Sequence, residues 1–518
     1  MLDASIHTLA LPTSSYSLYT SKIIDINYGM FIISTNISNR EVLEYRYLQK
    51  QITHGFYRHI QFSRQASGKK GQKLLNSLNQ KQSCILNQIH PKQKDKIGGY
   101  RFINNDRVTE QLLINSLQMQ CKENCRNQQI ICLQDTTEYN FQHHLERLDE
   151  GTLGLVGNNI DVGFFCHPML CFDAKSSLPL GISFAKLWSR NPARKNKKQR
   201  EYKKLPIEEK ESYRWIDAIE TTKHLLSNNI TFISDRESDI YQLWSRVPDS
   251  KTDLIIRCRK DRKLYDQSKT ILQSLEDQKI LGEYSIDLKA NKKKSRSKRK
   301  TILQVKSIKV KIKKPHSAIS NSQQDPEYVE LFAVEAKEDR KRVPENEMPV
   351  HWLLLTTHKI KSFTKAKEIL TWYSFRWQIE QFFRITKKQG LDFESSQLET
   401  GDGLKKLALL SFATALKILQ LTLARDLKVH ILAHNFFSTK EIIILNAINN
   451  KIKGETNKQI NPNKKHTLAW VAWIIARLGS WSGYESQGPP GPITYKRGYD
   501  EFRSIMIGFD IVRDVYKE

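Results

Sequence analysis

The sequence predicts an α/β fold with a helical C-terminal part, on three observations. Between residues 130 and 257, short apolar runs, two of them followed closely by aspartate, are interspersed with a segment of helical periodicity. A strongly basic segment of period two follows. From Lys365 onward only helical spacing remains. In order, residues 130–133 read as a buried strand leading to Asp135, and 163–172 and 178–187 as two further strands. Residues 216–226 read as a helix, and 231–234 as a strand leading to Asp235. A helix after Asp235 should turn Ile240 and Leu243 inward, and 254–257 is another strand. Helical spacing returns at 407–423 and 442–452. The Gly/Pro-rich stretch 479–498 is expected to end the helical part. No internal repeat is visible.

Composition narrows the partner. The 518 residues predict about three domains. Lys and Arg number 83 and Asp and Glu 55, and 83 − 55 gives +28. Such an excess calls for a polyanion, nucleic acid before an anionic membrane surface. The longest apolar stretch found, 468–476, falls far short of the ~20 residues a span needs, and no secretion signal is expected. The seven cysteines, an odd number, fit reduced cytosolic thiols rather than a disulfide framework. Cys121 and Cys125 are four apart, and Cys166 and Cys171 five apart. Zinc sites usually use tighter pairs with His partners, so the spacing argues against metal binding by thiols.

Between Lys289 and Lys314, 13 of 26 residues are Lys or Arg and none is acidic. Ile308, Val310 and Ile312 alternate with Lys309, Lys311 and Lys313, a strand with one buried and one cationic face. Such a row guards a sheet edge or meets phosphates, and the adjoining run 292–300 favours phosphates. A further strand is expected at 329–335. Residues 62–93 carry Leu74, Leu75 and Leu78 at helical spacing among Gln, Asn and Lys. They read either as a small DNA-binding domain or as a solvated helical face.

The sharpest pattern is Tyr373, Arg376, Glu380 and Lys387, spaced 3, 4 and 7. On one helix they would lie at about 0°, 300°, 340° and 320°, an arc of about 60°. A surface ion pair accounts for Arg376 and Glu380 alone but not for the phenol and the ammonium beside them. Three carboxylates, Asp135, Asp235 and Glu380, with basic neighbours suit divalent-metal phosphoryl transfer, in which Arg376 and Lys387 would grip phosphates.

This set resembles the DDE transposases of the insertion-sequence-four family, most closely the Tn-five-like group. Tyr373, Arg376, Glu380 and Lys387 match its Y-x2-R-x3-E-x6-K signature. Gln134-Asp135-Thr136-Thr137 is similar to its first-aspartate strand, and Asp235-Arg236-Glu237-Ser238-Asp239 to its D-R-E-x-D motif. Tyr100-Arg101-Phe102 resembles the segment that precedes the catalytic domain. The resemblance runs from about residue 60 to the end. It implies an RNase-H-like core at 119–402 with a β-rich basic insertion at about 258–348. A helical DNA-binding domain at 58–118 would precede the core and a helical dimerisation domain at 403–518 would follow it. Residues 1–57 match nothing in the family.

The function implied is a bacterial, cytoplasmic, nucleoid-associated transposase with no membrane partner. It would bind the inverted terminal repeats of its own element as a homodimer, cleave them through a hairpin intermediate and transfer the 3′-OH ends into target DNA. Asp135, Asp235 and Glu380 would hold two Mg²⁺ ions, with Mn²⁺ able to substitute. Tyr373, Arg376 and Lys387 would hold phosphates, and Trp352 would stack on a flipped base, where the bland alternative is packing beside Leu354. Arg257 falls at a strand position that would contact DNA. Arg236 is expected either to act at the site or to pair with Glu237 or Asp239. The competing readings are a decayed or repurposed transposase that only binds DNA and a two-metal nuclease without strand transfer.

Overall fold

The computed structural model describes residues 71–515 apart from 72, 79–80, 82, 91, 127, 194–200, 203–204, 292–294, 316–324, 388–389, 428 and 455. The N-terminal extension and part of the Lys292–Lys300 run therefore lie outside the described residues. The chain divides into two units, His54–Met506 and Met1–Thr53 with Ile507–Glu518. Of the second, only 507–515 are described, and they are helical.

The first unit is organised around one mixed sheet. Strand β1 (Ile130–Gln134) is buried at every position, as its apolar run at 130–133 requires. It pairs antiparallel with β4 (Val162–Asp173), which pairs with β2 (Thr137–Asn140), β3 (Gly154–Leu155) and β5 (Pro179–Trp188). On its other side β1 pairs in parallel with β6 (Ile230–Ser234), and β6 in parallel with β7 (Thr252–Arg257). The order β5-β4-β1-β6-β7, with three antiparallel strands and two parallel ones, is consistent with an RNase-H-like domain.

The basic insertion does not form a separate body. Its strands β8 (Gly282–Leu288), β9 (Arg299–Lys313) and β10 (Tyr328–Glu338), joined to β7 through β11 (His351–Thr356), which follows the insertion, extend the same sheet. On β9, Val310 and Ile312 are buried while Lys309 and Lys313 are exposed, as the period-two pattern predicts. Strand β9 lies between β8 and β10, so its lysines do not guard an edge.

Helices cover both faces. The chain enters through α1 (Gln93–Ile103) and α2 (Glu110–Asn124), then packs α3 (Arg214–Leu225), α4 (Tyr241–Arg246) and α5 (Ile271–Glu276). Next come α6 (Phe363–Ser374), α7 (Trp377–Thr386), α8 (Gly401–Ala424), α9 (Thr439–Lys451), α10 (Leu468–Leu478) and α11 (Pro492–Val515). Alternation along β1 splits its side chains between two cores. Ile131 and Leu133 join α6, α7 and α8; Ile130 and Cys132 join α3 and α4. Leu74, Leu75 and Leu78 are buried in the same core as α8, which disposes of the solvated-face reading. The expected end of helix at 479–498 is corrected: Pro492 opens α11, because a first-turn proline gives up only an amide that has no intrahelical partner.

Among the described residues one helix, α8, is long and apolar enough to cross a membrane, so the longest apolar element is not 468–476. Of its most apolar window 89% is buried inside the protein. Its buried Lys406 and Lys417 donate to the carbonyls of Ile103 (3.2 Å) and Phe436 (2.7 Å), as a core helix allows.

Candidate active site

Strand register brings the two aspartates together. In the parallel pair, Ile130 lies beside Ile230 and Leu133 beside Ile233. The offset is 100 positions, so Asp135 and Asp235 leave neighbouring strand ends at the same level. Odd-numbered β1 residues face the core that contains α7, and Glu380 lies in the first turn of α7. Arg376 closes the group. Its guanidinium donates to Asp135 Oδ2 at 3.0 Å and to Glu380 Oε1 at 2.6 Å. One guanidinium therefore serves two carboxylates from elements 241 and 4 residues away.

Burial pushes the Asp135 carboxyl up to about 7; the Asp235 and Glu380 charges add to the rise, while the Thr136 amide and Arg376 oppose it. Asp235 accepts from the Glu237 amide at 2.8 Å, which fixes the turn after β6. An unfolded aspartate ionises near ~3.9. Ionising Asp135 in the fold therefore costs stability from about pH 4 upward, in full above about 7. Asp135→Asn is expected to melt higher than the parent at pH 8 without divalent ions, and the gap should close by pH 4. A lower melting point for the variant at pH 8 contradicts this electrostatic account.

Tyr373, Arg257 and Trp352 adjoin the same site. Tyr373 is buried on α6, and burial raises its pKa while Arg376 and Arg257 pull it back. Arg257, at the end of β7, reaches the His351 carbonyl at 3.3 Å and interacts with Tyr373. Trp352 is half-buried on β11, with its ring 6.1 Å from that of Tyr373 in an edge-on arrangement. It packs against the core through Tyr373, and part of it stays open.

The single-helix column is corrected. The helix breaks at Phe375 and Arg376, where the amides of Phe375, Arg376, Gln378 and Ile379 bond three residues back. Lys387 lies past the end of α7 with an extended backbone. There it pairs with Glu394 at 3.8 Å and sits over the Tyr139 ring, while Arg376 holds Asp135 and Glu380. The expected pairing of Arg236 is also corrected: Glu237 pairs with Arg214, and Asp239 with Arg262.

Sequence reading missed a polar chain behind the aspartates. Arg214, the first residue of α3, donates through Nε to Thr136 Oγ1 at 2.9 Å and through Nη2 to Glu237 at 2.8 Å. It thereby ties the turn after Asp135 to the turn after Asp235. Thr136 meets His167 Nδ1 at 2.8 Å, and His167 Nε2 meets Gln134 Oε1 at 3.1 Å. Burial holds His167 well below its ordinary pKa. A neutral ring that donates from Nε2 and accepts at Nδ1 satisfies both contacts. The only signal was the Thr136 beside Asp135; an arginine at a helix start carries none.

The three carboxylates fit hard divalent cations. They offer oxygen donors only, and a single guanidinium leaves the cluster net negative. Comparison with known families agrees with this chemistry. Residues 210–416 match the model of the transposase DDE domain. The match includes Asp235, Arg376 and Glu380 and begins after Asp135. It supports a DDE transposase acting on DNA.

Proposed function

We propose that the protein is a transposase of the insertion-sequence-four type, Tn-five-like, which cleaves the inverted repeats of its own element and joins the 3′-OH ends to target DNA. The observation that carries this reading is the meeting of Asp135 and Glu380 on Arg376, with Asp235 in register beside Asp135. Asp135, Asp235 and Glu380 would hold two Mg²⁺ or Mn²⁺ ions. When bound, such ions activate water or a 3′-OH and stabilise the leaving oxygen. Arg376, no longer needed to neutralise the carboxylates, would turn to a phosphate, where a guanidinium can bind bidentately. Arg257, Tyr373 and Lys387 would hold the flanking strand, and Trp352 would stack on an extruded base during hairpin formation.

The division proposed is end recognition by 58–118, catalysis by 119–402 and dimerisation through 403–518. The lysine face of β9 would follow the DNA backbone. Its present partners are weak competitors: Lys309 pairs with Glu330 at 2.9 Å, both exposed, and Lys311, half-buried, with exposed Asp266 at 3.3 Å. Exposed pairs contribute only about 0–1 kcal/mol, so phosphates can displace them. Affinity for duplex DNA is expected to fall steeply with salt, and Lys309→Gln/Lys311→Gln to flatten the log–log slope by about 2. A slope unchanged in the double variant removes β9 from the DNA path.

The test of the function is cleavage of a duplex that carries the gene's own flanking sequence. Nicks at inverted repeats in the presence of Mg²⁺ support the reading. Divalent-dependent cutting with no preference for those ends points to a nuclease without strand transfer.

A further inference from the structure

We propose that Cys121, Cys125 and Cys171, completed by Cys132, form a structural site for a thiophilic divalent ion of the zinc class, on the sheet face opposite the carboxylates. Four of the seven cysteines converge here from three elements. Cys132 on β1 and Cys171 on β4 are register partners, with sulfurs 3.4 Å apart. Cys121 in the last turn of α2 and Cys125 at its cap lie 3.8 Å apart, sulfur to sulfur. The sulfurs of Cys121, Cys125 and Cys171 all lie within 4.8 Å of one another.

These distances match a coordination sphere. Zn–S bonds of ~2.3 Å in a tetrahedron set sulfurs about 3.8 Å apart. Cys121, Cys125 and Cys171 form one face of such a tetrahedron; Cys132, whose sulfur is 3.4 Å from that of Cys171 but outside this mutual group, would turn toward the ion to supply the fourth ligand. The expected C-x₂-C spacing is not needed, because sheet register supplies the second pair. Cys166 does not take part: it lies in the core on the other face.

The surroundings hold the sulfurs in place. Strand β5 carries Gly181 opposite Cys171, and a methyl there would come within 2.6 Å of the Cys121 Cα. The missing side chain lets α2 sit directly on the sheet. Asn124 donates to the Leu180 carbonyl at 2.8 Å and Gln118 to that of Ser183 at 2.9 Å, fixing the helix along β5. Asn228 donates to the Cys125 carbonyl at 2.7 Å and pins the cap. Ion binding releases the thiol protons to solvent.

The ion would join α2 to β1, three residues before Asp135, and brace the strand that carries it. The thiol site does not depend on the DNA chemistry proposed above. The test is cobalt substitution of the full-length protein together with its zinc content. About one zinc per chain should survive gel filtration, and a mercurial should release it. The cobalt form should show thiolate-to-cobalt charge transfer and the visible bands of tetrahedral geometry. Charge transfer should drop by about a quarter in Cys132→Ser and by about half in Cys121→Ser/Cys125→Ser. It should not change in Cys166→Ser, nor in Asp135→Asn, which separates it from ions at the carboxylates. Folded wild-type protein with no thiolate-to-cobalt band overturns the proposal, whether its thiols are all free or paired in a disulfide. So does a band that disappears in Asp135→Asn.

Discussion

Glu380→Gln is expected to lower Mg²⁺-dependent strand cleavage a thousandfold or more, about 4 kcal/mol of transition-state stabilisation. Affinity for the same DNA should stay within about threefold, since one neutralised carboxylate removes no phosphate contact. The variant keeps the volume of the side chain and a hydrogen-bond acceptor for Arg376, which now holds Glu380 at 2.6 Å. It loses the charge that a divalent ion needs. Parallel measurements of nicking and of DNA binding separate the two effects. Cleavage within tenfold of the parent would take Glu380 out of the chemistry and leave it as an ion-pair partner of Arg376.

The second large effect distinguishes a transposase from a plain nuclease. Trp352→Ala is expected to slow hairpin formation or reopening roughly ten- to a hundredfold while sparing the first nick. A stacking platform for an extruded base contributes ~1–3 kcal/mol, at about 1.4 kcal/mol per decade of rate. Trp352 is suited to that work because it is only half-buried and stands edge-on to Tyr373, which itself interacts with Arg376 and Arg257. The first nick needs the carboxylates and the phosphate grips but no bent strand. Labelled terminal-repeat duplex resolves nicked from hairpin product. Equal loss in both steps makes Trp352 a packing residue, and unaltered hairpin yield removes it from the reaction.

The strands that carry the aspartates were legible because both of their faces are buried: β1 opens with four apolar residues, and β6 is mostly apolar, with Thr231 and Ser234 its only polar positions. Glu380 and Arg376 were legible as an i,i+4 pair within a signature. Lys387 was misplaced because a helical wheel assumes an unbroken helix. This one breaks at Phe375 and Arg376 and stops at Thr386. The cysteine cluster was hidden for a different reason. Cys132 and Cys171 meet only through strand register, a long-range fact that no local spacing contains. Arg214 was equally hidden, since its worth depends on the two turns that it bridges. At the other end, Pro492 read as a stop signal although it starts a helix.

The central claim is that Asp135, Asp235 and Glu380 share one divalent-ion site. Fe²⁺ in place of Mg²⁺, with ascorbate and peroxide, generates hydroxyl radicals at the bound ion and cuts the nearby backbone. Mass spectrometry of the fragments should find cuts beside all three residues in one sample, at the ends of β1 and β6 and in the first turn of α7, suppressed by excess Mg²⁺. Cuts at only one of the three, or cuts that Mg²⁺ does not suppress, would contradict a shared site.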